Sequence, residues 1–405
     1  MRVGVRTYGW YGDTVLNLIF PDRWNVSVQR MAGHSAPSLT KDQIRRRVAK
    51  PVGSRTLRDL AKDRMECVII VDDLTRPTKA SQILPSILQE LHDAGLENDH
   101  IRFVMALGAH HWMRLDDIRK KLGNDIPEQY NVFNHNVYEN HVFIGKTSRG
   151  TPVHVNREVM KCDLKIGIGS IIPHKSYCFG GGAKIVLPGV ASIDTIHRNH
   201  SLHAGESSQI EDSAKRLDAE EAARLVGLDF IANALINPDR DCCELICGDP
   251  VEAHRVGVSV ARKHYLTSAV KADVVVANGY PLESAAYKVL DMIGGLSEGS
   301  EDRIILLHTP EGSRGHYYNG RFGTNFGGKG WKPEKYLSSS CDESTYVVAP
   351  HCSLAERQYI APSACWVRSW NDVLRRLKAK YRGSRVNIAV YPYAPIQVSC
   401  EDTCN

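Results

Sequence analysis

The sequence predicts an α/β fold: two α/β domains built on parallel-rich sheets. Residues 65–71 (MECVIIV), 101–107 (IRFVMAL) and 163–169 (DLKIGIG) are short apolar runs, each emptying into a polar or glycine-rich loop. Helix-period stretches follow the first two, and strand, loop and helix in alternation build right-handed crossovers in a parallel sheet. The same alternation restarts near Lys271, and 405 residues exceed what one ordinary core holds. The expected domains are therefore residues 1–267 and 268–405.

Each element follows from its own pattern. Val3 and Val5 alternate as a short strand, and residues 38–50 (SLTKDQIRRRVAK) form a capped, basic surface helix. The strand at 65–71 ends in Asp72-Asp73-Leu74-Thr75-Arg76-Pro77-Thr78. Ile83, Leu84, Ile87, Leu88 and Leu91 then lie on one helix face, with Gly95 near its stop. The strand at 101–107 delivers Gly108-Ala109-His110-His111, ahead of a helix striped by Leu115, Ile118 and Leu122. A parallel sheet sets these two loops side by side. Residues 130–155, interrupted by Gly145 and Gly150, read as a hairpin-like excursion. After the strand at 163–169 come a glycine run, a helix from Ser192 and a polar acidic section over 206–221. Residues 222–235 and 251–264 read as helices. In the second domain, 273–277, 303–307 and 386–390 are strands, 283–293 and 370–380 are helices, and 312–330 is a long loop.

Composition narrows the function classes. Hydrophobic content of 42% with 24% charged residues is that of a soluble globular protein. The net charge of +5 is spread along the chain, without the dense basic block of a nucleic-acid footprint. No run of about 18 apolar residues predicts a membrane span, and the first thirteen residues lack a signal-peptide core. Neither Cys242, Cys243 and Cys247 nor Cys400 and Cys404 have paired C-x-x-C spacing, so reduced thiols in a cytoplasmic protein are expected.

The residues with chemistry collect at strand ends. Arg76 offers a planar, permanently charged fork for a carboxylate or phosphate, although an Asp–Arg pair inside a capped turn reads equally from spacing. His110 and His111 follow the next strand, and a histidine there can move protons near neutral pH. His110 is the better placed of the two. His174 follows Pro173, and Gly180, Gly181 and Gly182 permit close backbone approach to a ligand. Lys184 follows in GGGAKI, which lacks the Gly-Lys-Ser/Thr ending of a Walker loop. A lysine beside a glycine turn can instead act as an amine nucleophile. His197, His200 and His203 step by three along a helix, where two of them can share a metal or all can be solvated.

Together DDLTRPT (72–78), LGAH (107–110), PH (173–174), GGGAKIVLPGVASIDTI (180–196), NH (199–200) and NGYPLESAAYKV (278–289) resemble the nickel-pincer lactate racemase family, in the same order over most of the chain. The resemblance implies a racemase or epimerase of 2-hydroxy acids with its active site in the cleft between the domains. Residues 1–267 would bind cofactor and carry catalysis, while 268–405 would close over the substrate. The implied cofactor is a nickel-pincer nucleotide, a pyridinium-3-thioamide-5-thiocarboxylic acid mononucleotide, supplied by cofactor-biosynthesis enzymes. By motif position Lys184 would be its covalent tether and His200 the nickel ligand, with Gly181, Gly182 and Asp72 beside the bound groups. His110 and His174 would be the paired acid/base histidines, and Arg76 would grip the substrate carboxylate. In that mechanism a hydride leaves the substrate C2 for the pincer ring and returns to either face.

One departure bears on substrate. The family's Tyr-Gln-x-x-Lys pattern is here Tyr287-Lys288-Val289-Leu290-Asp291, so Asp291 stands where a lysine would hold the substrate. A carboxylate about 4 Å from a bound carboxylate costs about 4 kcal/mol at an effective dielectric near 20. Lys288, one turn away, can offset this. Tyr287, Lys288 and Asp291 therefore point to a 2-hydroxy acid larger or more polar than lactate, such as a sugar acid. A dehydration or net redox outcome, or a non-catalytic nickel- or cofactor-binding role, are the alternatives.

Overall fold

The computed structural model describes residues 1–202, 213–285, 296, 299–312 and 343–399. They fall into two compact units, Ser35–Lys263 on one hand, and Met1–His34 with the chain from His264 onward on the other. In chain order, β1 (Arg2–Thr7), β2 (Thr14–Ile19) and β3 (Asn25–Val28) come first. The unit Ser35–Lys263 opens with α1 (Lys41–Val48), α2 (Leu57–Ala61), β4 (Cys67–Asp72), α3 (Leu84–His92), β5 (Ile101–Ala106) and α4 (Leu115–Leu122). Next come α5 (Ile126–Gln129), β6 (Asn131–Asn134), β7 (His141–Lys146), β8 (Pro152–Asn156), α6 (Arg157–Met160) and β9 (Leu164–Ser170). It closes with β10 (Pro173–His174), β11 (Cys178–Phe179), α7 (Ile193–His200), α8 (Ala214–Val226), β12 (Phe230–Ile236), β13 (Cys242–Gly248) and α9 (Glu252–His264). The remaining elements are β14 (Leu266–Thr267), β15 (Val274–Asn278), β16 (Asp302–Leu306), β17 (Thr345–Val348) and α10 (Leu354–Ile360). After them come β18 (Cys365–Val367), α11 (Trp370–Lys380), β19 (Asn387–Tyr391) and β20 (Val398–Ser399).

The first unit is built on a six-stranded sheet ordered β13-β12-β9-β4-β5-β6. All its pairings are parallel except β12 with β13. Every residue of β4 and β9 is buried, so β4 reads as a continuous apolar run over residues 67–71, while β9 keeps one charge, Lys165, whose Nζ donates to Cys162 O at 2.7 Å. Because β4 and β5 are neighbours, the loops after Asp72 and Ala106 leave the same sheet edge side by side. The second unit carries the sheet β18-β17-β16-β15-β19-β3, parallel throughout. Val274, Val276, Ile304 and Leu306 pack into one core layer, while Val275, Ala277 and Ile305 pack into another. No described helix is long and apolar enough to cross a membrane.

Three expectations are corrected. The first domain does not begin at residue 1: β3 pairs with β19, Asn25 opposite Asn387, so the first 34 residues belong with the second unit. A four-residue edge strand of half-exposed residues leaves no legible pattern. Residues 222–235 are not one helix. The helix α8 begins at Ala214, inside the expected polar section, and stops at Gly227, whose left-handed φ of 75° caps it. Phe230–Ile236 is then a wholly buried strand, and a short apolar run does not by itself distinguish strand from helix. Third, residues 130–155 are more than a hairpin: β6 joins the parallel sheet beside β5, and only β7 with β8 forms an antiparallel pair. Of the helix expected over 283–293 only the turn Glu283–Ala285 is described, and the expected loop beyond Gly312 lies outside the described residues.

His135, just after β6, braces this unit internally. Its Nε2–H donates to Ala191 O at 3.0 Å, and its Nδ1 accepts from Asn156 Nδ2 at 3.2 Å. Burial, with His141 adding repulsion, pulls its pKa from 6.5 down to about 3. A histidine with a depressed folded pKa is neutral when folded and protonated when unfolded over that window, so stability falls as pH is lowered from 6.5 toward 3. His135 is expected to cost about 2 kcal/mol between pH 7 and pH 5. Urea melts at the two pH values check this, and His135→Gln removes that share of the difference.

Candidate active site

The β4 and β5 loops meet through Asp73. Its Oδ2 lies 2.7 Å from His110 Nδ1, and its Oδ1 accepts from Thr75 N at 2.9 Å and from Thr75 Oγ1 at 2.6 Å. Thr75 Oγ1 in turn accepts from Arg76 Nη1 at 2.8 Å. With the hydroxyl hydrogen committed to Asp73 and a carboxylate able only to accept, the proton must sit on His110 Nδ1, leaving Nε2 as a lone pair. Burial pushes the Asp73 carboxyl up, but His110, Arg76 and Thr75 outweigh it and hold the group well below the usual carboxylate range. Arg76 uses Nη1 on Thr75. Its Nε and Nη2 have no partner among the described residues, a fork shaped for a carboxylate.

Asp72 has a different task. Lys121, fully buried on α4, places Nζ 2.5 Å from Asp72 Oδ1, 2.9 Å from Asp73 O and 3.1 Å from Arg76 O. Thr78 Oγ1 donates to Asp72 Oδ2 at 2.8 Å. Burial pushes the Asp72 carboxyl up and the Lys121 ammonium down, each partly offset by the other's charge. The pair stitches the Asp72–Thr78 loop to α4, and Asp73 is the acid that touches a candidate catalytic group.

His174, Lys184 and His200 gather around one buried side chain, Tyr177. The Lys184 ammonium sits 3.7 Å from the centre of the Tyr177 ring. The His174 and His200 rings meet it edge-on, with centroids at 5.3 Å and 5.9 Å. The phenol donates a short hydrogen bond to Asn199 Oδ1. Asn199 Nδ2 donates to Asp218 Oδ2 at 2.8 Å, and Asp218 also accepts from Thr147 and Thr151. This chain pins the end of α7, where His200 stands. Its Nδ1–H donates to Ile196 O at 3.0 Å, which leaves the lone pair on Nε2. Burial, then Lys215 and Lys184 nearby, pull the His200 pKa down to about 3, and His110 is close enough to add to the effect. His174 has the opposite tautomer from His110: its Nδ1 accepts from Ser176 N at 3.3 Å, so its neutral ring carries the proton on Nε2. Tyr177→Phe is expected to cost about 1–2 kcal/mol by orphaning Asn199. Tyr177→Leu is expected to cost about 3 kcal/mol by also losing the ring. Urea denaturation of the two variants measures the difference.

The glycine turn is held from behind. His254 Nε2 donates to Gly180 O at 2.8 Å, and the buried Arg216 donates to Phe179 O and, at 3.0 Å, to Gly181 O. Gly182 N donates to Asn233 Oδ1 at 2.7 Å. Gly181 and Gly182 have φ of 77° and 59°, and a Cβ on either would lie 2.8 Å from Asn233 Oδ1 or from the His254 ring. A side chain at either position would therefore collide with these neighbours, so both positions require glycine. Gly182→Ala is expected to cost about 2–3 kcal/mol, read as a lower urea midpoint.

Asp73, Lys121, Tyr177, Asn199 and Arg216 escaped the sequence reading. Asp73 was adjacent to a chosen residue, and its three-residue spacing to Arg76 was the available signal. The rest are recognised only by what they touch. His197 stands on α7 without joining the Tyr177 cluster, whereas His203, Tyr287, Lys288 and Asp291 lie outside the described residues. Cys242, Cys243 and Cys247 line β13 as free thiols that burial pushes well up, so they are poor nucleophiles.

The chain is similar to known proteins over most of its length. A sequence profile of the lactate racemase N-terminal domain matches residues 11–211. The lactate racemase of Thermoanaerobacterium thermosaccharolyticum is 27% identical over 317 residues, covering 76% of this chain and 74% of that protein. That of Lactiplantibacillus plantarum is 28% identical over 293 residues, 69% of each chain. The structure of the T. thermosaccharolyticum lactate racemase apoprotein superposes with a TM-score of 0.74 at 21% identity, covering 98% of this chain and all of that one. A Thermotoga maritima protein superposes at 0.63 with 17% identity, over 89% of this chain and 98% of that one. These structural matches establish the two-domain α/β fold. The profile spans Arg76, His110, His174, Lys184 and His200, and the two relatives extend the match beyond two thirds of the sequence: the chain belongs to the lactate racemase family.

Proposed function

We propose that this protein is a racemase or epimerase acting at the hydroxyl-bearing C2 of a 2-hydroxy acid. The observation that carries the reading is the convergence of His174, Lys184 and His200 on the Tyr177 ring, with His110 electrostatically coupled to His200. The donor set suits a nickel-pincer nucleotide. Lys184 supplies an amine for the tether, and His200 supplies a neutral imidazole whose Nδ1–H is fixed by a backbone carbonyl, as metal-binding histidines require. When bound, that group would accept a hydride from C2 and return it.

The chain's own residues supply the rest. Arg76 holds the substrate carboxylate through Nε and Nη2. His110 Nε2, oriented by Asp73, takes the hydroxyl proton of one enantiomer. His174 would act as the acid from its imidazolium form, with Nδ1 released from Ser176 N, giving its Nε2 proton to the keto oxygen and ending neutral, so that one histidine enters the cycle neutral and the other protonated. In the reverse direction their protonation states exchange. Asp291, in the place of the family's lysine, favours a substrate larger or more polar than lactate.

The test uses protein coexpressed with cofactor-making enzymes and a panel of C2-deuterated acids: lactate, malate, 2-hydroxyglutarate, aromatic hydroxy acids and aldonates. Label retained at C2 in both configurations is the expected result. Loss of label to product water or to a dehydrated acid would replace racemisation by elimination. Absence of turnover across the panel, with nickel bound, would leave a binding protein.

A further inference from the structure

A second cluster lies in the other unit, at the carboxyl edge of its parallel sheet. His308 and His351 follow the neighbouring strands β16 and β17, and Tyr8 follows β1. Tyr8 meets both rings edge-on, with centroids 5.7 Å from His308 and 5.9 Å from His351. Its hydroxyl is 3.0 Å from His351 Nε2, and its backbone N–H donates to His308 O at 3.2 Å. His308 is 7% exposed, yet its Nδ1 has no partner among the described residues. On the adjoining strand Asn278 spends its amide N–H groups on Arg6 O and Pro392 O, and its Oδ1 is likewise without a partner. Orphaned buried polar atoms are costly, and the carboxyl ends of parallel strands are where open α/β sheets bind ligands.

The chemistry of the edge selects the ligand. Burial, with His351 adding to it, pulls His308 down to about 4, so its ring is neutral near pH 7. Among the described residues, burial and His351 alone account for that shift. Burial also pushes the Tyr8 phenol up, keeping it protonated and unsuited to bind a metal. A hydroxyl can both donate and accept, and so satisfies either an imidazole nitrogen or an amide oxygen without bringing charge. We infer that this edge is a binding site for a hydroxylated carbon chain, that of a polyol or a sugar acid, recognised by His308, His351 and Tyr8. The inference goes beyond the racemase reading and does not depend on it.

Long-range imidazole 1H–15N spectra of the full chain, titrated with gluconate, glucitol, lactate, malate and Ni²⁺, test it without turnover. Gluconate or glucitol is expected to displace the His308 ring signals, and lactate and malate to leave them in place. Gluconate alone assigns a sugar acid, glucitol as well assigns the hydroxylated chain itself, and both support the site. By calorimetry, binding of the active ligand is expected to weaken about ten-fold or more in Tyr8→Phe and in His308→Phe. Tyr8→Phe suffices should the second variant misfold. The inference is overturned if neither polyhydroxylated ligand moves His308, if malate or lactate moves it as far, or if Ni²⁺ alone broadens it. A failed racemase assay leaves every one of these readouts intact.

Discussion

Replacing Lys184 by alanine is expected to abolish the covalent mass increment of protein matured with the cofactor-making enzymes. Exchange at C2 should then fall by on the order of 10⁴-fold, about 5.5 kcal/mol of lost transition-state stabilisation. The amine is the one feature of Lys184 that an alternative cation does not reproduce. Lys184→Arg keeps a positive charge over the Tyr177 ring, where the ammonium now sits at 3.7 Å, but a guanidinium is not an amine nucleophile. The arginine variant should therefore fold and melt like the wild type while carrying no adduct. Intact-mass spectrometry and urea melts separate the covalent from the structural role. An adduct surviving in either variant would remove Lys184 from the site.

Asp73→Asn is expected to lower kcat for C2 exchange by about 10³-fold with KM little changed. The carboxylate compels His110 to carry its proton on Nδ1. A carboxamide can donate to that nitrogen instead, moving the proton to Nε2 and removing the base without moving the ring. A matching effect on stability separates orientation from mere packing. The folded pKa of Asp73 is depressed, chiefly by His110 once burial has been outweighed. Its contribution is therefore present above the unfolded carboxylate pKa of about 3.9 and is lost as pH falls below it. The asparagine variant should lose stability at pH 7 and show a flatter acid limb. An unchanged exchange rate would show that Asp73 serves the loop and not His110.

Much of this was legible in the sequence because parallel sheets bury both faces of their strands. Residues 65–71, 101–107 and 163–169 declare themselves as β4, β5 and β9 through short, predominantly apolar runs that end in polar or glycine-rich loops. Once two such strands are neighbours, the loops carrying Arg76 and His110 must share an edge. The GGGAKIVLPGVAS block and its trailing Asn-His are equally explicit, because their spacing is specific.

Other features are decided only by tertiary structure. Which of two adjacent aspartates serves His110 depends on side-chain direction: alternate residues at a strand end point to opposite sides, and Asp72 turns to Lys121 while Asp73 turns to the histidine. Tyr177 is an unremarked aromatic until folding brings Lys184, His174 and His200 onto its ring. The glycines of the 180–182 turn are required because Asn233 and His254, more than 50 residues away in sequence, occupy the places a Cβ would take at Gly181 and Gly182. Composition and spacing thus determined the fold class, the sheet edge and the family motifs. Long-range contacts assigned each charge its partner and each imidazole its tautomer, because a hydrogen bond depends on where its two ends meet in space.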